Sequence, residues 1–282
     1  GTVTPPEPAA FPSPCVEEGA ATVESLLDQM TREEIVQQLG GTHFVTAGVP
    51  RLGIPSLFMA DGPHAIRGGN QWPCLVAAAC SFDAVLEEQV GAAMAKEFRR
   101  QGKNMDLGPM VNLIRDGRWG RASETYSEDP FLSGKMGAAR IRGIQSVGVI
   151  ADVKHYTANN VETGRGNYPV TVSERTLRER YLPAFRMAVQ EGAAWSVMAA
   201  YNQVNGEACA ANAHLLRDIL KGEWGFSGFV VSDWGAAYGD TVGAALGGLD
   251  SEMPEAVAFA EGALLGAVDG GEVPWDLVVD KA

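Results

Sequence analysis

The sequence predicts an α/β fold: a TIM-like (β/α) barrel, whole or short of a strand or two, behind an extended Pro-rich N-terminal arm. Two observations carry this. Short apolar or β-branched runs alternate with helical patterns, and no two-residue hairpin signal joins them, so parallel strands with crossover helices are expected. Polar residues also crowd after nearly every run: Asp61, Asn112, Lys154 with His155, Tyr201 with Asn202, and Asp233 with Trp234. In a barrel those strand ends share one face, and that face carries the chemistry. The competing architecture, an open doubly wound sheet, usually puts a G-x-G-x-x-G or G-x-x-x-x-G-K-S/T loop at its first βα turn. Neither occurs here.

Five of the 15 prolines fall within residues 5–14. Residues 1–24 therefore read as an arm or linker and 25–282 as the barrel. Thr31 and Glu34 make a capping-box pattern ahead of Ile35, Val36 and Leu39. Phe44–Ala47 is a weak strand candidate and Ser56–Ala60 a better one. Asp83 is placed to cap a helix whose Leu86, Val90, Met94 and Phe98 recur near i, i+4. Asn104–Leu107 and Val149–Val153 are the next strands. Thr171 with Glu174 opens a helix bearing Leu177, Tyr181, Phe185 and Val189. Trp195–Ala200 is a strand, and Leu216, Ile219 and Leu220 mark a short helix ending near Gly222. Phe229–Ser232 is a strand and Leu249–Met253 a weaker one. The count is six or seven strands, not a secure eight.

With 46% hydrophobic and 20% charged residues, the 282-residue chain can bury a core. Lys plus Arg is 22 against 35 Asp plus Glu, a net charge of −13. That balance argues against a nucleic-acid partner and against docking on anionic lipid. No uncharged apolar run approaches the roughly 18 residues of a membrane helix. The 4 cysteines (15, 74, 80 and 209) form no Cys-x-x-Cys pair. Cys74 and Cys80 are near enough to bridge if a loop joins them, and equally suit a reduced, buried life. No signal peptide or Asn-x-Ser/Thr sequon is visible. An acidic chain that could bear a disulfide is expected to be secreted or periplasmic. The 4 histidines have no His-x-x-x-His spacing, so no metal site and no cofactor are expected.

The chemistry-bearing residues have bland readings beside the functional ones. Asp233 followed by Trp234 ends the run Phe229–Ser232. Asp233 alone could equally cap the next helix, but a large indole at an open strand end favours a nucleophile beside a stacking platform. Lys154 and His155 are adjacent, and neighbours on a regular strand face opposite ways. Both reach one site only where the strand ends or bulges. Asp61-Gly62-Pro63-His64 aims a carboxylate from a rigid loop or is an ordinary turn. Arg118-Trp119-Gly120-Arg121 with Glu124 is a guanidinium cluster or a solvated loop. Met198-Ala199-Ala200-Tyr201-Asn202 ends a strand with a phenol. Together they supply carboxylates, cations, imidazole and aromatic faces, the inventory for a polyhydroxylated ring. A carboxylate beneath an anomeric carbon points to glycosidic bond cleavage.

These motifs resemble glycoside hydrolase family three, in its β-glucosidase-like branch and over its N-terminal barrel domain. The matching stretches run from Gly53-Ile54-Pro55 and Met59-Ala60-Asp61-Gly62-Pro63-His64 through Asn112, Arg115-Asp116-Gly117-Arg118-Trp119-Gly120-Arg121, Glu124 and Glu128-Asp129-Pro130. They continue with Val153-Lys154-His155-Tyr156, Met198–Asn202 with Asn205-Gly206, and Val231-Ser232-Asp233-Trp234-Gly235. Ala65 departs from the pattern, where glycine is usual. The resemblance implies a retaining, exo-acting β-glucosidase that removes terminal non-reducing β-D-glucosyl residues, with Asp233 as nucleophile. Asp61 would grip hydroxyls far from the anomeric carbon, Arg121, Lys154 and His155 would bind the others, and Arg67 would stand at the edge. Tyr201 would position the nucleophile, while Met198 and Trp234 wall the pocket. It also implies an acid/base glutamate on a following α/β sandwich domain, which the sequence up to Ala282 leaves to another domain or chain. The alternatives are a β-xylosidase, a β-N-acetylglucosaminidase or a sugar-binding barrel without hydrolysis. The second is the poorer match, because the loop Thr157-Ala158-Asn159-Asn160-Val161-Glu162 lacks the His-Asp pair of that branch.

Overall fold

The structure is a computed structural model that describes residues 22–282. The arm expected over 1–24 lies outside the described residues as far as position 21, as does Cys15. Thr22 instead caps a short helix, Val23–Leu27. Five parallel strands form the central sheet: β1 (Met59–Asp61), β2 (Met105–Leu107), β3 (Ile150–Tyr156), β4 (Ser196–Ala199) and β5 (Phe229–Ser232). Their order in space is their order in sequence. The ring is completed by single bridges: Val231 with Ser251 and Gly40 with Glu252 in parallel, then Val45 with Phe58 antiparallel. Leu249–Met253 and Phe44–Ala47 thus contribute bridges and a two-residue hairpin strand, Val45–Thr46, where full strands were candidates.

Side chains alternate across this wall with the period of two that a strand imposes. Met59, Met105, Leu107, Met198 and Val231 meet inside the barrel with Met253. Val153, Val197, Ala199 and Val230 turn outward onto the helices. The same alternation sends Asp61, Lys154 and Asp233 inward at the strand ends.

Two hairpins break the expected hairpin-free pattern. One joins Gly41–Thr42 to Val45–Thr46, and the other joins Gln203–Val204 to Glu207–Ala208. The second turns on Asn205 and Gly206, both at positive φ (52° and 98°). An Asn-Gly pair is the residue choice such a turn demands.

The capping box at Thr31 and Glu34 is present, and Ile35, Val36 and Leu39 are buried. Asp83 caps Ala84–Arg100 as expected. Its buried face, however, runs through Glu87, Gly91, Met94 and Phe98, which leaves Leu86 exposed. The next predicted helix starts at Glu174 under a Ser173 cap, not at Thr171. It opens into a wide turn, Leu182 N–H to Leu177 C=O at 2.9 Å, just before Pro183. The helix expected to end near Gly222 spans His214–Glu223, and Gly225 is the residue that turns left-handed (φ 68°). Cys74 and Cys80 flank the helix Leu75–Ala79 and are not bonded, so no loop brings them together. No described helix is long and apolar enough to cross a membrane.

The helix Pro130–Gln145 has no strong apolar stripe because small residues and Arg140 interrupt Met136, Ile141 and Ile144 on its buried face. Gly134, Gly137, Ala138, Ala139 and Gly143 let neighbours approach closely. A Cβ on Gly91 would meet the Arg140 carbonyl oxygen at 2.6 Å, and one on Gly143 would collide with the Glu88 carbonyl. Between these helices Arg140 pairs with Glu87 at 2.8 Å, and the Tyr126 hydroxyl donates to Glu87 at 2.7 Å. Removing either partner of such a pair strands a buried charge. Gly143→Ala is expected to cost about 1–3 kcal/mol through overpacking, read as a lower denaturation midpoint. An unchanged midpoint would show that the two helices do not touch backbone to backbone.

Candidate active site

A hollow of about 280 Å³ opens at the C-terminal ends of the strands. Its inward residues arrive by strand alternation: Asp61 from β1, Leu107 from β2, Lys154 from β3, Met198 from β4 and Asp233 just past β5. His155 would face outward on a regular strand, yet it lines the hollow too. The pairing of β3 with β4 shifts register between Val153 and Tyr156, which supplies the irregularity that the Lys-His pair requires. Asn112 fixes the result, accepting from His155 N–H at 2.7 Å and donating to its C=O at 2.8 Å.

Asp233 sits at the base with its side chain only 10% exposed. One oxygen, Oδ1, accepts from the Trp234 backbone N–H at 2.8 Å. The other, Oδ2, is buried without a hydrogen-bond partner. His155 Nε2 is 3.6 Å away, but Arg121 Nη1 lies 3.0 Å from the same nitrogen. A guanidinium can only donate, so Nε2 is the acceptor and the imidazole is neutral. Burial pushes the His155 pKa well down, and the cations of Arg121, Lys154 and Arg165 push it further. The contact of His155 with Asp233 is therefore not an ion pair. Burial raises the pKa of Asp233, against the opposing pull of Lys154, the Trp234 N–H, Arg121 and Arg165.

Lys154, 3% exposed, reaches Asp61 Oδ1 at 3.3 Å, while Asp61 itself is 68% exposed. Arg121 grips Glu124 with two bonds, at 3.1 and 2.7 Å. Burial opposes both charges, but the pairing prevails: the pKa of Arg121 is raised and that of Glu124 lowered. Tyr201 donates its hydroxyl to the Trp234 carbonyl at 2.8 Å, which holds the segment carrying Asp233. The Trp234 indole N–H donates to the His43 carbonyl at 3.0 Å, and its ring lies 5.0 Å from that of Phe44.

Eight of the nine expected site residues line this hollow: Asp61, Arg121, Lys154, His155, Met198, Tyr201, Trp234 and Asp233. Arg67 does not; it is exposed in the turn after buried Ile66. Three lining residues were not anticipated: Phe44, Leu107 and Arg165. Leu107 follows Met105 by the strand period and was legible. Arg165 lies 4.2 Å over the Tyr201 ring and pairs with Glu162 at 2.8 Å. Its only sequence signal was that i, i+3 charge pair in a Gly-rich loop. Phe44 arrives on an antiparallel hairpin, where the sequence offered Phe44–Ala47 only as a weak strand with no turn signal beside it. A second hollow of about 510 Å³ shares Asp61 and Arg121 with the first. No group of His, Cys, Asp and Glu among the described residues could hold a metal ion.

Residues 22–278 match the family model described as the glycosyl hydrolase family 3 N terminal domain. Thermostable beta-glucosidase B of Acetivibrio thermocellus is 41% identical over 270 residues, 90% of this chain and 36% of that protein. Beta-glucosidase BoGH3A of Bacteroides ovatus is 40% identical over 293 residues, 92% of this chain and 39% of that protein. Among solved structures, beta-glucosidase 3B from Thermotoga neapolitana in complex with glucose superposes with a TM-score of 0.86 at 35% identity. That match covers 92% of this chain and 41% of the other. The chain thus spans about two fifths or less of the length of these relatives.

The charge arrangement around Asp233 makes a titration prediction. Its carboxyl, followed by ¹³C NMR, is expected to titrate above the ordinary Asp value of about 3.9. Lys154→Met removes the leading cation and is expected to move the midpoint higher still. A midpoint at or below the ordinary value, or one unmoved by the substitution, would contradict the balance of burial and charge.

Proposed function

This chain belongs to glycosyl hydrolase family 3, and we propose that it forms the nucleophile-bearing barrel of a retaining β-glucosidase that removes terminal β-D-glucosyl residues. The observation that carries the reading is the Asp233 carboxylate, desolvated at the base of a sugar-sized hollow with one oxygen free of hydrogen bonds. An anion so placed is held ready for an electrophilic carbon rather than spent on local structure.

In the first step an Asp233 oxygen bonds to C1 as the bond from C1 to the aglycone oxygen breaks. The departing oxygen takes a proton from an acid. In the second, water gives that group a proton and attacks C1, releasing Asp233. Within residues 22–282 the carboxylates around the nucleophile are committed or sealed off: Asp61 to Lys154, Glu124 to Arg121 and Glu162 to Arg165, with Asp152 fully buried on the Ser196 hydroxyl. The proton donor is therefore assigned to residues outside them. Lys154, Arg121 and Arg165 favour the ionised nucleophile, while Trp234 and Phe44 offer an aromatic wall. Asp61 takes the hydroxyls remote from C1, which favours a hexose with its exocyclic hydroxymethyl over a pentose.

Asp233→Gly in the full-length protein is expected to lower kcat on aryl β-glucosides at least about 10⁴-fold. Added azide should then restore turnover and yield the α-glucosyl azide, because azide fills the vacated side of C1. Activity close to wild type, or a β-configured azide product, would refute the nucleophile assignment.

A further inference from the structure

Beneath the hollow, the inward face of β3 carries another carboxyl. Ile150 packs against the inner cluster and Lys154 lines the hollow, so the strand period points Asp152 into the barrel between them. Asp152 is fully buried. Its register partner on β4 is Ser196, whose hydroxyl donates to Oδ1 at 2.7 Å. Oδ2 is buried with no hydrogen-bond partner. Lys154, the cation that acts on it most, spends its contact on Asp61 instead.

A carboxyl sealed in this way, with one hydroxyl beside it, is unfavourable as the anion and stable as the acid. Burial pushes its pKa up to about 7, against the pull of the Ser196 hydroxyl and of Lys154, and the charges of Asp233 and Asp61 add to the rise. Asp106, outward on β2 and also fully buried, is the other carboxyl in electrostatic contact with it. Its own burial holds Asp106 well above the usual carboxylate range.

Lys154 is a countercharge for Asp61, Asp152 and Asp233 alike. Its contact with Asp61 is long, 3.3 Å, and Asp61 stands largely in solvent, where such a pair is weak. An anion at Asp152 would lie on the same strand face, about 6.6 Å back along the chain. The flexible lysine stem can reach it, and the attraction in that dry interior is far stronger.

We propose that Asp152 is a positioning residue for the reaction: as the neutral acid it leaves Lys154 to Asp61 and the nucleophile, and once ionised it draws the ammonium down from them and loosens the hold on the sugar. The inference rests on the β-glucosidase reading, which puts sugar hydroxyls at Asp61 and Lys154. It adds a group outside the hollow that acts only through Lys154. No contact across the barrel mouth enters it, because Asp152 lies wholly inside the barrel. Asp152 keeps its proton below about 7 and loses it above, so the hold is intact on the acid side and lost on the alkaline side.

The test gives 2,4-dinitrophenyl β-glucoside to the full-length protein. That leaving group departs without a proton, so kcat/KM for the glycosylation step does not report the proton donor. With the loss of one charge-assisted hydrogen bond, kcat/KM is expected to fall at least about fivefold between about pH 6 and 9. The midpoint of the fall should lie at about 7. Asp152→Asn keeps the acceptor for Ser196 and cannot ionise, and should reduce the fall to less than about twofold. Ser196→Ala removes a hydrogen bond that favours the anion, and should move the midpoint up. Independently of turnover, the Lys154 ¹³Cε signal, assigned through Lys154→Met, should shift with the same midpoint in the wild type and not in Asp152→Asn. A fall that persists unmoved in both variants, or a Lys154 signal indifferent to Asp152, overturns the proposal. A Lys154 signal that follows Asp152 in a protein that hydrolyses no β-glucoside would instead refute the underlying β-glucosidase reading and leave the coupling of Asp152 to Lys154 standing.

Discussion

A desolvated carboxylate needs compensating charge close by, and the top of this barrel is organised around that need. Asp233 has lost most of its water, and burial raises its pKa. Lys154 from β3 and Arg121 from the loop after β2 counter the shift, with Arg165 from the loop after β3. The protein as a whole carries a net charge of −13, so this local positive field is a construction of the site and not of the surface. Burial first, and then the same cations, keep His155 neutral, which spares the anion a protonated neighbour that would tie it up. Had His155 been charged, its Nε2 could have donated to Asp233 and taken the free oxygen out of use.

Ring closure serves the same end. Where a further parallel strand would stand, the segment Ser251–Met253 and the hairpin before β1 complete the wall. Met253 C=O accepts from Gly235 N–H at 2.7 Å, and the Ser232 hydroxyl accepts from Met253 N–H at 2.9 Å. The turn that presents Asp233 is thus anchored to the closing segment. Glu252 holds that segment in place by accepting from the backbone N–H groups of Val257, Ala258 and Phe259. The hairpin in turn holds Trp234 through the His43 carbonyl and sets Phe44 against it. Substituting a hairpin for a strand costs ladder hydrogen bonds but places an aromatic wall where a strand end would have offered one side chain.

What could be read in advance followed from periodicity and capping. The inward positions of Asp61, Lys154, Met198 and Asp233 are consequences of a period of two in runs visible in the sequence. The Asp83 cap and the Thr31–Glu34 box are local chemistry, and the structure keeps both. Illegible features depended on partners far away in sequence. The helix Pro130–Gln145 hides because glycines, alanines and the paired Arg140 interrupt Met136, Ile141 and Ile144 on its buried face. Leu86 is exposed because Glu87, paired across to Arg140, takes the inner position. The resemblance put Arg67 at the edge of the site, whereas the turn at Ile66 buries the isoleucine and leaves the arginine in solvent, outside the hollow. Arg165 joins the site through an aromatic face 36 residues onward, which no local pattern encodes.

Trapping the covalent intermediate tests the central assignment most directly. The full-length protein would be treated with 2-deoxy-2-fluoro-β-D-glucosyl fluoride, digested and mapped by mass. The expected product is a single added fluoroglucosyl group on Asp233, with loss of activity in step with labelling. A label on another residue, or continued turnover with no label while ordinary β-glucosides are hydrolysed, would contradict the account.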